Sequence, residues 1–131
     1  MATMPLLTDA DAPPEARAVF DDICATRRTD YVNNFWRAMA NDPEAMAAAW
    51  DRLKQVMGPG ALNPLVKEML YIAVSVANGC EYCVHSHTAS AKAKGMSDAM
   101  HRELLSVIAM AAQTNALATA MQVPVDDRFK A

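Results

Sequence analysis

The chain has 131 residues, with 12 basic and 15 acidic side chains for a formal charge of −3, and 53% of its residues are hydrophobic. That length fits a single domain over residues 1–131 whose core needs no metal or disulfide staples. The near-neutral charge argues against nucleic acid as the main partner. Met1 to Pro14 lacks the basic stretch followed by an apolar run that a secretory signal needs. The most apolar tract, Leu104 to Met121, is interrupted by Gln113, Thr114 and Asn115, where a membrane helix would need unbroken hydrocarbon. The expectation is a cytoplasmic protein with no membrane partner. Three cysteines, two of them in a Cys-x-x-Cys, do not make a secreted disulfide scaffold. In a reducing compartment the pair points to redox chemistry or to metal.

With 26 alanines and four glycines the composition favours helix nearly throughout. Pro13 and Pro14 open a first helix to about Thr29, with Ala16, Val19, Phe20 and Ile23 as its apolar stripe. Asn33 to Ala40 is a short second segment. Asp42-Pro43 pairs an N-cap with proline at the first helical position, and the helix it starts ends at Gly58-Pro59-Gly60. Asn63-Pro64 repeats that signal for a fourth helix carrying Leu65, Met69, Ile72, Ala73 and Val76, which stops at Asn78-Gly79. A fifth runs from about Cys80 to Lys94 and ends at Gly95. Ser97 and Asp98 then cap a sixth that reaches about Ala120, and the tail from Pro124 is expected to be irregular. The fold class is all-α, a compact bundle of about six helices with the Cys-x-x-Cys at a helix N-terminus.

On a wheel of roughly 100° per residue, Cys80, Cys83 and His87 fall within a sector of about 60° on the fifth helix. Glu81, His85, Thr88 and Lys92 form a polar stripe elsewhere, as a solvent-facing side should. Residues three or four apart on a helix are neighbours, so Cys80 can reach Cys83 after modest rearrangement of the first turn, and Cys83 can reach His87. The helix start favours thiolate over thiol, and the imidazole can take the proton.

Glu68 is the other unusual residue. Its helical neighbours Pro64, Leu65, Tyr71 and Ile72 offer no basic partner, so a carboxylate on a largely apolar segment needs one from elsewhere. If the fourth and fifth helices fold back at Gly79, Glu68 lies about 16 Å before the turn and His87 about 12 Å after it, within about one helical turn of the same level. A carboxylate there would orient the imidazole, which would deprotonate the thiol. Burial is expected to raise the pKa of Glu68.

The string Glu68, eleven residues, Cys80-Glu81-Tyr82-Cys83, three residues, His87 resembles the signature of the AhpD-like alkylhydroperoxidases in the carboxymuconolactone decarboxylase family. The tract that carries it, Asn63 to Gly95, is about a quarter of the chain. The resemblance implies a peroxidatic Cys83, a resolving Cys80 that also exchanges with a dithiol or disulfide-reductase reductant, and a proton relay of Glu68 and His87. It also implies a hydroperoxide substrate, no metal or organic cofactor, and a homotrimer or a hexamer built from trimers. Some family members carry a second histidine immediately before the second cysteine, where this chain has Tyr82. A phenol donates a hydrogen bond but is no base near neutral pH, which implies weaker turnover or a different oxidant.

Other readings stay open beside this one. The cysteines could be small core residues, or Cys80, Cys83, His85 and His87 could hold zinc, with His101 joining only if folding brings it near. Glu68 could pair with a remote arginine such as Arg37 or Arg52. The family name carries lactone decarboxylation, and a non-catalytic helical oligomer is a third class. A thioredoxin-like fold is set aside, because no strand precedes Cys80. Cys24, the ten methionines and the pair Trp36 and Trp50 are expected to be packing.

Overall fold

Proline opens three of the six helices, as the sequence signals require. The computed structural model describes Met1 to Lys130, which form α1 (Pro14–Arg27), α2 (Asn34–Met39), α3 (Pro43–Met57), α4 (Pro64–Ala77), α5 (Glu81–Ala93) and α6 (Asp98–Ala120). Among the described residues there is no strand, so the all-α expectation holds. The caps work as predicted: Asp42 Oδ1 accepts from the Ala45 N–H at 3.1 Å, Asn63 Oδ1 from Leu65 at 2.8 Å, and Ser97 Oγ from Met100 at 3.1 Å. Gly79 and Gly95 take left-handed φ values of 68° and 101° where α4 and α5 end. Two details differ from expectation. α1 stops at Arg27 because Arg28 adopts the left-handed conformation and its N–H bonds the Cys24 carbonyl. The tail is not wholly irregular, since Asp127–Phe129 makes a 3₁₀ turn that a Lys130–Asp127 ion pair closes.

The helices gather into two compact units, one over Met1–Gly58 and one from Pro59 onward. In the first, α1 and α2 pack on α3. The α1 stripe of Ala16, Val19, Phe20 and Ile23 is buried with Val32, Trp36, Ala40, Met46 and Trp50. Trp36 and Trp50 meet edge to face, with ring centroids 5.4 Å apart. Complete burial of residues such as Phe20 and Ile23 contributes about 1.5–3 kcal/mol each relative to exposure. Cys24 is a half-buried free thiol against this core, as a packing residue should be. The N-terminal segment is tied on by Arg37, which donates to the Leu7 carbonyl and to Asp9, both at 3.0 Å.

In the second unit α4 packs on both α5 and α6. Ile72, Ala91, Met96 and Leu104 are its buried apolar residues, with Leu65, Met69, Met100 and Ile108 packed around them. Val76, expected on the inward stripe of α4, is exposed instead, because the buried face of the helix follows Glu68, Ile72 and Ser75 at spacings of four and three and Val76 lies to one side of it. The C-terminal half of α6, residues 109–120, is exposed on all sides. No described helix is long and apolar enough to cross a membrane.

Candidate active site

The site is built where α4 turns into α5. Cys80 is the N-cap of α5, and its Sγ accepts a hydrogen bond from the Cys83 N–H at 3.3 Å. A sulfur is thus held by the unpaired amides and positive dipole end of a helix start, which favour negative charge on it. Cys80 and Cys83 form a disulfide with their Cα atoms 5.3 Å apart. The first turn need not rearrange, because the cap residue lies outside the helical conformation. His87 stands one turn beyond Cys83. His85 is exposed, as are Glu81 and Lys92 on the expected solvent side; Thr88 is partly buried rather than solvent-facing.

Glu68 is buried, with 4% of its surface exposed, and lies against α5. Its Oε2 is 2.7 Å from Nδ1 of His87. Its Oε1 accepts from Ser90 Oγ and from Lys94 Nζ, both at 2.9 Å, and Lys94 also donates to Ser90 Oγ at 2.9 Å. The ring of Tyr71, one turn along α4 from Glu68, stacks on the His87 imidazole with centroids 3.6 Å apart and planes 20° apart. The level argument from the two helices therefore brings Glu68 and His87 together as expected.

The expected direction of the Glu68 pKa is overturned. Burial does push it up, but the hydrogen bonds from His87, Lys94 and Ser90 and the charge of Lys94 outweigh that, and the pKa falls from 4.5 to about 2. Glu68 does pair with a cation, though not with a remote arginine. Arg37 is engaged by Asp9 and two backbone carbonyls, and the partner is Lys94.

Ser90, Lys94 and Tyr71 were missed as site residues. The signal for two of them was present: Cys80, Cys83, His87, Ser90 and Lys94 follow one another at spacings of three and four, a single stripe along α5. The residues weighed as zinc ligands do not converge. The two sulfurs are bonded to each other, and no three His, Cys, Asp or Glu side chains among the described residues are placed to hold a metal ion.

The fold and this geometry define an all-α protein with a Cys-x-x-Cys disulfide at a helix N-terminus and a buried carboxylate on the neighbouring histidine. The chain belongs to the carboxymuconolactone decarboxylase family, whose model matches residues 43–126. It is similar, at 59% identity and a TM-score of 0.97, to the crystal structure of the alkylhydroperoxidase AhpD core from Rhodospirillum rubrum, over 100% of this chain and 98% of that one. It is also 35% identical over 66 residues to an uncharacterised protein of Cupriavidus necator. That match covers 50% of this chain and 58% of the relative.

Proposed function

We propose that the chain is a thiol-dependent peroxidase acting on hydroperoxides, with a disulfide-reductase half-reaction. The observation that carries this reading is the Cys80–Cys83 disulfide at the start of α5, one turn from an imidazole whose Nδ1 is engaged by a buried carboxylate. The similarity to a protein described as an alkylhydroperoxidase supports it.

In the reduced form, His87 takes the proton of Cys83 and the thiolate attacks the terminal oxygen of the peroxide. The O–O bond breaks, Cys83 becomes a sulfenic acid, and the alkoxide leaves as alcohol after taking the proton back. Cys80 then attacks the sulfenic sulfur, forming the disulfide and releasing water. An external dithiol reduces the disulfide through a mixed disulfide on Cys80 and is itself oxidised. Glu68 orients His87 and offsets the positive charge that develops on it. Tyr82 stands where some relatives carry a second histidine. A phenol takes no proton near neutral pH, so His87 is the base in this scheme.

The test is to count free thiols in denaturant before and after one equivalent of an organic hydroperoxide is added to the reduced, metal-free protein. The expected result is a fall from three thiols to one, abolished by Cys83→Ser apart from slow background loss. Three thiols persisting would remove the peroxidase reading for that oxidant. Lactone decarboxylation, which Cys80→Ser with Cys83→Ser should leave intact, would then take precedence.

The same reading expects a homotrimer or a hexamer. Its support is the exposed stripe of Val107, Met110, Leu117 and Met121, at helical spacing along and just beyond α6, which a second copy would cover. Light scattering at two concentrations that gives a monomer at both would remove this expectation.

A further inference from the structure

The three donors around Glu68 divide unequally between its two oxygens. Ser90 and Lys94 both donate to Oε1, which leaves Oε2 for His87. An ionised carboxylate accepts hydrogen bonds and donates none. Opposite an ionised Glu68, Nδ1 of His87 must therefore carry the hydrogen, and in the neutral ring Nε2 holds the lone pair. A protonated Glu68 would reverse this: its O–H would donate to Nδ1, and Nε2 would carry the hydrogen. An imidazolium would also carry a hydrogen on Nε2. Only the ionised carboxylate with a neutral ring leaves Nε2 able to accept a proton.

We infer that Lys94, assisted by Ser90, is a positioning residue that keeps Glu68 an anion and so leaves His87 Nε2 unprotonated, ready to take the proton of Cys83. The ammonium lies 2.9 Å from Oε1 and is braced by Ser90 Oγ at the same distance, so its charge is directed at the buried carboxylate from the last residue before Gly95. Without that charge, the buried Glu68–His87 pair gains affinity for one further proton, on the carboxylate or on the ring. Either location puts a hydrogen on Nε2 and removes the base.

The titratable and charged groups facing Glu68 are His87 and Lys94 from α5, with Tyr71 on α4 stacked over His87. From α6, Met100, Leu104 and Ile108 join the apolar cluster of this unit, and no charged α6 side chain among the described residues is ion-paired with Glu68. Lys94 touches neither sulfur nor substrate in this scheme.

This inference deepens the peroxidase reading and rests on it for the identity of the reaction, so the test separates the two. Ring ¹⁵N chemical shifts of His87 in the reduced full-length protein near neutral pH report which nitrogen carries hydrogen. Iodoacetamide alkylation of the Cys83 peptide, followed by mass spectrometry, reports thiolate formation without any peroxide. Wild type is expected to show Nδ1 protonated and Nε2 bare. In Lys94→Met, the fraction of molecules with a hydrogen on Nε2 should rise and alkylation of Cys83 should slow about tenfold, less than the roughly 10²–10⁴-fold that a positioned base contributes outright. Lys94→Arg should restore both signals, because the guanidinium keeps the charge. Ser90→Ala should move both in the same direction by less, and it serves alone if Lys94→Met does not fold. An Nε2 that stays bare in Lys94→Met, or one already protonated in wild type while slow alkylation shows Cys83 still to be a thiol, would overturn the inference; Nε2 hydrogen beside a fast-alkylating Cys83 thiolate in wild type is the proton His87 has taken and supports it. Should the wild type consume no hydroperoxide while Nε2 still follows Lys94, the peroxidase reading fails and the inference stands.

Discussion

Each unit of this protein contains a carboxylate that takes a hydrogen bond from an aromatic ring N–H and another from a lysine. In the first unit Asp22 Oδ2 accepts from Trp50 Nε1 at 2.6 Å and from Lys54 Nζ. In the second, Glu68 is bonded to His87 Nδ1 and Lys94 Nζ. What separates them is burial and the ring. The Asp22 side chain is 46% exposed, against 6% for Glu68. Water screens the first arrangement, so it orients the indole of the buried Trp50 and little more. In the second the carboxylate itself lies out of water, although the Lys94 side chain is 39% exposed, so the hydrogen bonds it accepts count for more and a proton on the ring has consequences. Trp50 cannot titrate, whereas His87 can. One arrangement thus serves packing in one unit and proton placement in the other, and burial with ring chemistry decides which.

The largest effect is expected where the first unit is cut at its core. Trp50 is 3% exposed, meets Trp36 edge to face and carries the Arg27 guanidinium over its ring at 5.2 Å. Trp50→Ala should lower unfolding free energy by about 3–5 kcal/mol, read from the denaturant midpoint at unchanged slope. A loss below about 1 kcal/mol would mean that this cluster does not hold the unit together. The second unit has fewer large buried apolar side chains and contains both buried polar residues among those described, Glu68 and Ser75.

Acid should expose the second unit's dependence on charge. The Glu68 pKa is depressed in the folded state, from 4.5 to about 2, so the ionised form is favoured by folding. Its contribution is fully present above about pH 4.5 and is lost as pH falls toward 2. A depression of that size corresponds to up to about 3 kcal/mol at neutral pH. Equilibrium unfolding between pH 5 and 2 should show this loss in the wild type and lack most of it in Glu68→Gln. Parallel acid profiles for the two proteins would show that the carboxylate is not held as described. Asp22 is also shifted down, by Lys54 and Trp50, but its exposure makes its share of the acid limb small.

How much of this was legible in the sequence follows the same division between local and distant causes. The helix limits are local. Asp42-Pro43, Asn63-Pro64 and Ser97-Asp98 each state a start within a few residues, and Gly79 and Gly95 each state a stop, so α3 to α6 fall where the signals place them. Even the meeting of Glu68 with His87 was within reach, because rise per residue and one hairpin turn suffice to compute it. The pKa of Glu68 was not. Its neighbours on its own helix are apolar, which suggests burial alone, while the groups that reverse the sign, His87 first and then Lys94 and Ser90, sit 19, 26 and 22 residues away on α5 and its C-cap, and only the first of them was expected there. The exposed end of α6 was equally hidden, since an apolar tract of that length reads the same whether its partner lies within the chain or in a second copy.

The finest distinction between the two carboxylates is how they share their donors, and replacing each by its amide tests it. Trp50 and Lys54 both donate to the same oxygen of Asp22. In Asp22→Asn the carbonyl oxygen can occupy that position and keep both donors, with the new NH₂ turned to solvent. Glu68 has donors on both oxygens, so in Glu68→Gln the NH₂ must face either Lys94, a donor, and Ser90, whose hydroxyl would have to turn and accept, or His87. The second choice forces Nδ1 to accept and puts the hydrogen on Nε2; the first sets the NH₂ against the Lys94 ammonium and costs that ammonium its carboxylate acceptor. Glu68→Gln should therefore lose stability, or slow the alkylation of Cys83, or both. Asp22→Asn should leave the denaturant midpoint and the Cys83 rate within error of wild type. Equal effects from the two amides would mean that burial alone, and not the division of donors, sets the two regions apart.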